Sequence, residues 1–101
     1  MAIALFCYST YSIDELACHI GALAVGNESL FLDKFIISRP RSIDEIDLEI
    51  ARENGLTARS NCLISLNDKR AAALIPTVAA LVKATLGEKN VVVLFEGEKL
   101  M

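Results

Sequence analysis

The sequence contains little of what most catalytic, metal and nucleic-acid sites are built from. It has no Trp, one His, four Phe and two Tyr among its 101 residues. A single His excludes a metal site with two histidine ligands, and so few aromatic side chains argue against a stacking platform for single-stranded nucleic acid. Basic residues are in the minority, with 10 Lys and Arg against 13 Asp and Glu, for a net charge of −3. Because a nucleic-acid binder carries a basic surface, we expect no nucleic-acid partner.

The three cysteines, Cys7, Cys18 and Cys62, are odd in number and widely spaced, and no CxxC pair occurs. This spacing excludes a zinc ribbon and a thioredoxin-type motif. We expect Cys18 and Cys62 to be buried, reduced thiols that pack as small apolar groups. The amino terminus has no Lys or Arg ahead of its apolar stretch, so it lacks the pattern of a signal peptide. Both observations predict a cytoplasmic protein.

Long apolar runs and catalytic motifs are missing as well. The longest apolar run, residues 71–82, contains Pro76 and Thr77 and is flanked by Arg70 and Lys83. It is too short to cross a hydrocarbon core of about 30 Å, so we expect no membrane segment. The chain contains no GxGxxG, P-loop, HExxH or GxSxG motif. The sequence therefore predicts no catalytic residue, no metal and no cofactor.

Apolar runs alternate with helical segments along the chain. A length of 101 residues predicts one α/β domain spanning residues 1–101. Nearly continuous apolar runs, which are typical of strands covered on both faces, occur at residues 3–8 and 91–95, and a similar run with one Ser occurs at residues 62–66. A fourth, less regular run at residues 30–38 has Asp33 and Lys34 in its middle, which an edge strand would tolerate. Three helical segments separate them, in the order β-α-β-α-β-α-β. This order predicts a small two-layer or three-layer sandwich with a mostly parallel four-stranded sheet.

Local signals mark the starts of the helices. The tetrapeptide Ser-Ile-Asp-Glu occurs twice, at residues 12–15 and 42–45. Each copy predicts a capping box, in which the Ser hydroxyl accepts from the amide three residues on and the Glu reaches back to the Ser amide. A third helix is predicted to begin near Asn67 or Asp68 and to end at Gly87, and Pro76 either kinks it or restarts it as a first-turn residue.

The chain is more apolar than a small soluble domain usually is. Apolar residues make up 53% of it, and the mean hydropathy is +0.44. The first and third predicted helices have few polar residues on any side. A sheet covers only one side of such a helix, so the other side needs a partner. We therefore expect a homo-oligomer, most simply a dimer, or a complex with another protein.

The second predicted helix is the most acidic part of the chain. It places Ile43, Ile46 and Ile50 on one stripe, with Asp47 at the border of that stripe. A run of carboxylates is usually a solvated helix face. The alternative is a docking surface for a basic partner, since opposite charge raises the association rate. The predicted partner-binding residues are the five carboxylates Asp44, Glu45, Asp47, Glu49 and Glu53.

Polar loops follow three of the predicted strands. In a parallel sheet these loops gather at one edge, where hydroxyls, cationic side chains and helix N-termini suit a small anion. The opposing interpretation is that the loops are simply polar and solvated. The candidate anion-binding residues are Ser9, Thr10, Arg39, Arg41, Lys69 and Arg70.

A cysteine and hydroxyl cluster, Cys-Tyr-Ser-Thr-Tyr-Ser at residues 7–12, lies between the first strand and the first helix. The Leu-Phe-Cys at residues 5–7 resembles sugar-phosphotransferase B components and low-molecular-weight phosphatases, which place a nucleophilic Cys just after a first strand. The resemblance implies phosphoryl transfer through Cys7, whose pKa a helix N-terminus would lower. The phosphatase pattern has an Arg six residues after the Cys, where this sequence has Ile13.

An acidic, apolar chain without a chemical motif suits the role of covering another protein's surface. We therefore favour a bacterial immunity or antitoxin-type protein that neutralises a basic toxin, such as a nuclease, and we expect no enzymatic activity. Two alternatives stay open. One is a small enzyme or phosphocarrier that uses Cys7 and the strand-end loops, and the other is a dimeric regulatory domain that senses a small anion.

Overall fold

Short apolar runs form the strands of a central sheet. The structure, a computed structural model, describes residues 3–31, 33–96 and 99–101. Within these ranges the strands are β1 (Ala4–Ser9), β2 (Phe35–Ile37), β3 (Arg41–Ser42), β4 (Ser60–Leu66), β5 (Val91–Phe95) and β6 (Lys99–Leu100). The helices are α1 (Ile13–Gly26), α2 (Glu28–Phe31), α3 (Glu45–Glu53), a 3-10 helix (Lys69–Leu74) and α4 (Ile75–Leu86).

The strands form one sheet in the order β2-β4-β1-β5-β6, and β3 pairs with β4 beside β2. Every pairing between the described strands is antiparallel. The prediction of a mostly parallel four-stranded sheet is therefore wrong. β4 inserts between β1 and β2, so these two strands run in the same direction without being neighbours. The apolar runs were misleading because an antiparallel sheet that is covered on both faces produces the same pattern.

Helices α1 and α4 cover one face of the sheet, which we call the first face. Side chains alternate between the two faces along each strand. Cys7 of β1, Ile64 of β4 and Val93 of β5 belong to the core on this side. Leu16 of α1 and Val78 of α4 are fully buried against them. This is the larger of the two apolar cores among the described residues.

Helix α3 covers part of the opposite face, which we call the second face. Tyr8 of β1 and Val92 and Leu94 of β5 are buried there. They pack with Ala51 of α3 and with Leu56 in the segment that follows α3. The molecule therefore has three layers, with the sheet in the middle and unequal helical cover on its two sides.

The predicted helix starts have different outcomes. Ser12 caps α1 and completes a capping box with Glu15, which confirms that prediction. The second predicted box is wrong, because Ser42 lies in β3 and Asp44 caps α3 by accepting from the amide of Asp47. Strand pairing with β4 holds Ser42 in extended backbone, and α3 begins two residues later than a box at Ser42 requires.

The boundaries of the 3-10 helix and of α4 agree better with those predicted from the sequence. Asp68 caps the 3-10 helix, Pro76 lies in the first turn of α4, and Gly87 ends α4 with a φ of 91°, which favours glycine. The predicted strand at residues 30–38 is partly wrong, because α2 ends at residue 31 and β2 spans residues 35–37. No helix within the described ranges has the length and apolar character that a membrane span requires.

Candidate partner-binding site

The acidic residues predicted to bind a partner lie on or beside α3. Asp44 caps the helix, and its side chain is exposed, as are those of Glu45, Glu49 and Glu53. Arg52 is the basic residue of α3. Among the described residues it forms no ion pair with these carboxylates. The outer side of α3 therefore keeps an excess of negative charge.

Asp47 differs from the other carboxylates because it is half-buried and faces the sheet. Its Oδ1 accepts a hydrogen bond from the Tyr8 hydroxyl at 3.1 Å, and its Oδ2 accepts from Asn61 Nδ2 at 3.3 Å. Burial of the phenol and the carboxylates of Asp47 and Asp44 raise the pKa of Tyr8 above its usual value of 10.0. The hydroxyl therefore stays protonated at neutral pH and donates to Asp47. Two strands hold this carboxylate in place.

Ile46 is not part of the buried stripe that the sequence predicted. Its side chain is 72% exposed, whereas Ile43 and Ile50 pack against the second core. The helix is rotated so that Asp47 and Ala51, four residues apart, face the sheet. Ile46 thus lies on the outer side with Glu49, where it supplies an apolar group within an acidic surface.

A cleft separates the beginning of α3 from β4. Its volume is about 240 Å³. Phe6 and Leu63 from the sheet contribute apolar walls, and Asp44, Asp47 and Arg41 contribute charged ones. Small-molecule sites usually measure about 300–1,000 Å³, so this cleft suits a single protein side chain better than a cofactor.

Sequence reasoning missed Tyr8 and Asn61 as parts of this site. They lie 39 and 14 residues from Asp47 along the chain, so no local pattern connects them. One signal was available, because Tyr8 stands in a continuously apolar strand and a buried Tyr hydroxyl usually needs a hydrogen-bond partner. A carboxylate bordering an apolar stripe is a suitable acceptor.

The candidate anion-binding residues do not all come together, because Lys69 and Arg70 lie at the opposite end of β4 from the other four. Ser9 is fully buried, and its hydroxyl lies 2.6 Å from that of Ser60. The Thr10 hydroxyl donates to Asn90 Oδ1 at 3.2 Å. Both hydroxyls are therefore engaged within the protein, Ser9 with β4 and Thr10 with the residue before β5.

The cationic members of that set are divided between two ends of the sheet. Arg41 in β3 pairs with residue 61 near the start of β4, and Arg39 lies just before it. Lys69 and Arg70 follow the opposite end of β4, where Arg70 pairs with Asp68 at 3.0 Å. The predicted grouping depended on a parallel sheet, and the antiparallel topology separates its members.

Cys7 lies inside β1 and not at a helix N-terminus. It is buried opposite Cys62 of β4. A hydrogen bond with Cys62, together with burial, raises the pKa of the Cys7 thiol well above its usual value of 9.0. A nucleophilic thiol needs the opposite shift. Cys18, predicted to be buried, is exposed on α1, so that prediction is wrong.

Metal ligands are not gathered anywhere in the part of the chain that the structure describes. No group of three or more His, Cys, Asp and Glu side chains is placed there to hold a metal ion. At α3 the exposed groups include carboxylates and the apolar side chain of Ile46.

Comparison with known proteins identifies relatives of this chain. A family model described as "CDI System Immunity Component" matches residues 1–99. "Immunity protein CdiI-2" of Burkholderia pseudomallei (strain 1026b) is 42% identical over 81 residues, which are 80% of this chain and 80% of that protein.

A solved structure has the same fold. It is the "CdiA-CT/CdiI toxin and immunity complex from Burkholderia pseudomallei", which matches with a TM-score of 0.94 and 35% identity over 97% of this chain and 95% of that one. The matched structure is a complex between two proteins, so the expectations of an immunity-type protein and of a protein partner are confirmed. The chain belongs to the family of CDI system immunity components.

Proposed function

We propose that this chain neutralises a CdiA-type toxin by binding it, and that it does so in the cytoplasm without enzymatic activity of its own. Membership of the immunity family supports neutralisation as the outcome. The similar immunity protein of known structure was solved together with a CdiA-CT toxin, and the match covers 97% of this chain. The toxin of the same CDI system is therefore the proposed partner.

The exposed acidic side of α3 is the observation that supports our choice of the toxin-binding surface. Five carboxylates lie between residues 44 and 53 against one Arg in the same segment. Such a concentration of one sign accelerates encounter with a partner of the opposite sign and disfavours wrong partners. We propose that α3 contacts a basic region of the toxin, with Glu45, Glu49 and Glu53 at the rim and Ile46 as an apolar contact inside it.

The environment of Cys7 supports a non-catalytic role. The thiol is buried beside Cys62 and its pKa is raised, which leaves it protonated at neutral pH. A protonated, enclosed thiol is inert as a nucleophile. In this proposal Cys7 is a packing residue, and neutralisation requires no bond to be made or broken.

The experiment is protection of growing cells. The toxin domain of the same CDI system is induced in bacteria that carry either an empty vector or this chain, and the two purified proteins are mixed and separated by size. We expect this chain to restore growth and to form a stable complex. Growth arrest with no complex at micromolar concentration would contradict the proposal.

A matched variant separates binding from catalysis. Cys7→Ser keeps a small side chain in the core, so it should protect cells as fully as the wild-type chain does, with some loss of stability. A folded Cys7→Ser protein that binds the toxin but fails to protect would favour the enzyme alternative instead.

A further inference from the structure

The second face of the sheet is only half covered by α3. Side chains that alternate toward this face from β5 are buried, with Val92 and Leu94 at most 7% exposed. Farther from α3 the cover is lost, and Ile36 on the edge strand β2 is 55% exposed. We call this area the open platform; it consists of the exposed Ile36 and its half-buried neighbours Ala4, Phe6, Leu63 and Ser65.

The strand register places these residues side by side. Phe6 lies opposite Leu63, and Ser65 lies opposite both Ala4 and Ile36. None of them carries a charge, and apart from Ser65 they are apolar. A contiguous apolar area on a small protein is a usual sign of a contact surface.

The cleft beside α3 joins the open platform to the acidic helix. Phe6 and Leu63 belong to both, and across the cleft stand Asp44 and Asp47. Two carboxylates against the one guanidinium of Arg41 leave the cleft negative. The Asp47 carboxylate is held by Tyr8 and Asn61 and has about four acceptor positions, so it can still accept from another donor.

We propose that one segment of the toxin occupies the open platform and the cleft together, resting an apolar side chain on Ile36 and Leu63 and placing a Lys or Arg beside Asp47. This inference rests on the proposed function and adds a second contact area to the rim of α3. A carboxylate that its own fold already orients loses little freedom when it binds a cation. Phe6 and Leu63 form an apolar part of the cleft wall, so a toxin side chain seated there would displace water from the contact, as in an interface hot spot.

Two variants test the two halves of the contact. Ile36→Glu puts a charge on the open platform, and Asp47→Asn removes one of the two negative charges in the cleft while it retains an acceptor for Tyr8. Val25→Glu is the matched control, because Val25 is 73% exposed on α1, on the other side of the sheet. Binding of the toxin domain to the full chain is measured kinetically, and circular dichroism checks folding.

We expect Ile36→Glu and Asp47→Asn each to weaken toxin binding by about tenfold or more, chiefly through faster dissociation. Val25→Glu should bind as the wild-type chain does. Wild-type affinity in both test variants would overturn the inference and leave the proposed function intact. A wild-type chain that binds no toxin would instead overturn the proposed function.

A measurement on the wild-type chain covers the case in which a variant misfolds or only one variant has an effect. Hydroxyl-radical footprinting with and without the toxin should show protection of Ile36 and Leu63, and unchanged labelling would overturn the inference. A second copy of the chain is the competing occupant. If Ile36→Glu converts a wild-type dimer into a monomer and leaves toxin binding unchanged, the open platform is a dimer surface and the inference is wrong.

Discussion

The first face of the sheet is closed by two helices, whereas the second face combines a small core, a hydrogen-bonded carboxylate and an open apolar area. On the first face the buried Ser9 and Ser60 hydroxyls satisfy each other, and Leu16 and Val78 are fully enclosed. On the second face Asp47 stands half-buried among side chains that reach the surface. We therefore attribute most of the folding free energy to the larger core on the first face, and we propose the second face as the recognition surface.

A pair of truncations tests this division most strongly. Leu16→Ala on the first face should lower the free energy of unfolding by about 2–5 kcal/mol, because it leaves a cavity in a fully enclosed site. Ile46→Ala on α3 should stay within about 0.5 kcal/mol, since the side chain is mostly exposed. Urea denaturation gives both values. Equal destabilisation by the two changes would contradict the division.

The Tyr8–Asp47 hydrogen bond should make a smaller contribution to stability. Tyr8→Phe removes the donor, so we expect a loss of about 1 kcal/mol at neutral pH. Because the pKa of Tyr8 is raised in the folded state, the unfolded chain releases this proton first as the pH rises. The contribution is therefore complete below the usual pKa of 10.0 and declines above it.

Denaturation between pH 8 and pH 11 measures that decline. The free energy of unfolding should fall more steeply above about pH 10 in the wild-type chain than in Tyr8→Phe. Parallel curves for the two proteins would place the phenol outside the Asp47 network.

Self-association through the outer side of α1 is a prediction that still needs a measurement. The outer side of α1 carries no carboxylate or Lys and Arg from residue 16 to residue 27, and Ala22 is exposed on it. We expect a dimer of the wild-type chain in analytical ultracentrifugation at micromolar concentration, and Ala22→Glu should weaken it with a stability change within about 0.5 kcal/mol. A wild-type monomer that forms no complex with the toxin would contradict this expectation.

The reactivity of the three cysteine thiols tests whether the first face is closed, and this test needs no substitution. Cys7 and Cys62 are buried and Cys18 is exposed, so a thiol reagent at neutral pH should modify one cysteine in the folded chain and three after denaturation. Mass spectrometry of the labelled peptides identifies the site. Fast labelling of Cys7 in the folded chain would mean that the first face opens readily.

Parts of the fold could be predicted because local chemistry determines them. The bounds of β5 follow from its apolar run at residues 91–95, and the start of α1 follows from Ser12 and Glu15. Strand order could not be predicted in the same way. The insertion of β4 between β1 and β2 depends on pairings across more than 50 residues, such as Leu5 with Ile64.

The candidate site was predictable in composition but not in arrangement. The acidic run on α3 is visible in the sequence. The orientation of α3 is not, because contacts with strands β1 and β4 determine it. Asp47 turns inward because Tyr8 and Asn61 offer donors there, and Ile46 is displaced outward as a result. The candidate anion-binding residues were assigned to one edge of a parallel sheet, whereas the antiparallel topology divides their cationic members between two ends.

The kinetics of toxin binding by Glu49→Lys test the central claim most directly. Glu49 is exposed on α3, and Glu88→Lys is the matched charge reversal at an exposed position beyond the end of α4, on the first face. If α3 docks on a basic region of the toxin, Glu49→Lys should slow association on the order of tenfold at low ionic strength and flatten its dependence on salt. Glu88→Lys should associate nearly as the wild-type chain does. Equal association rates for Glu49→Lys and the wild-type chain at low and high salt would contradict the account.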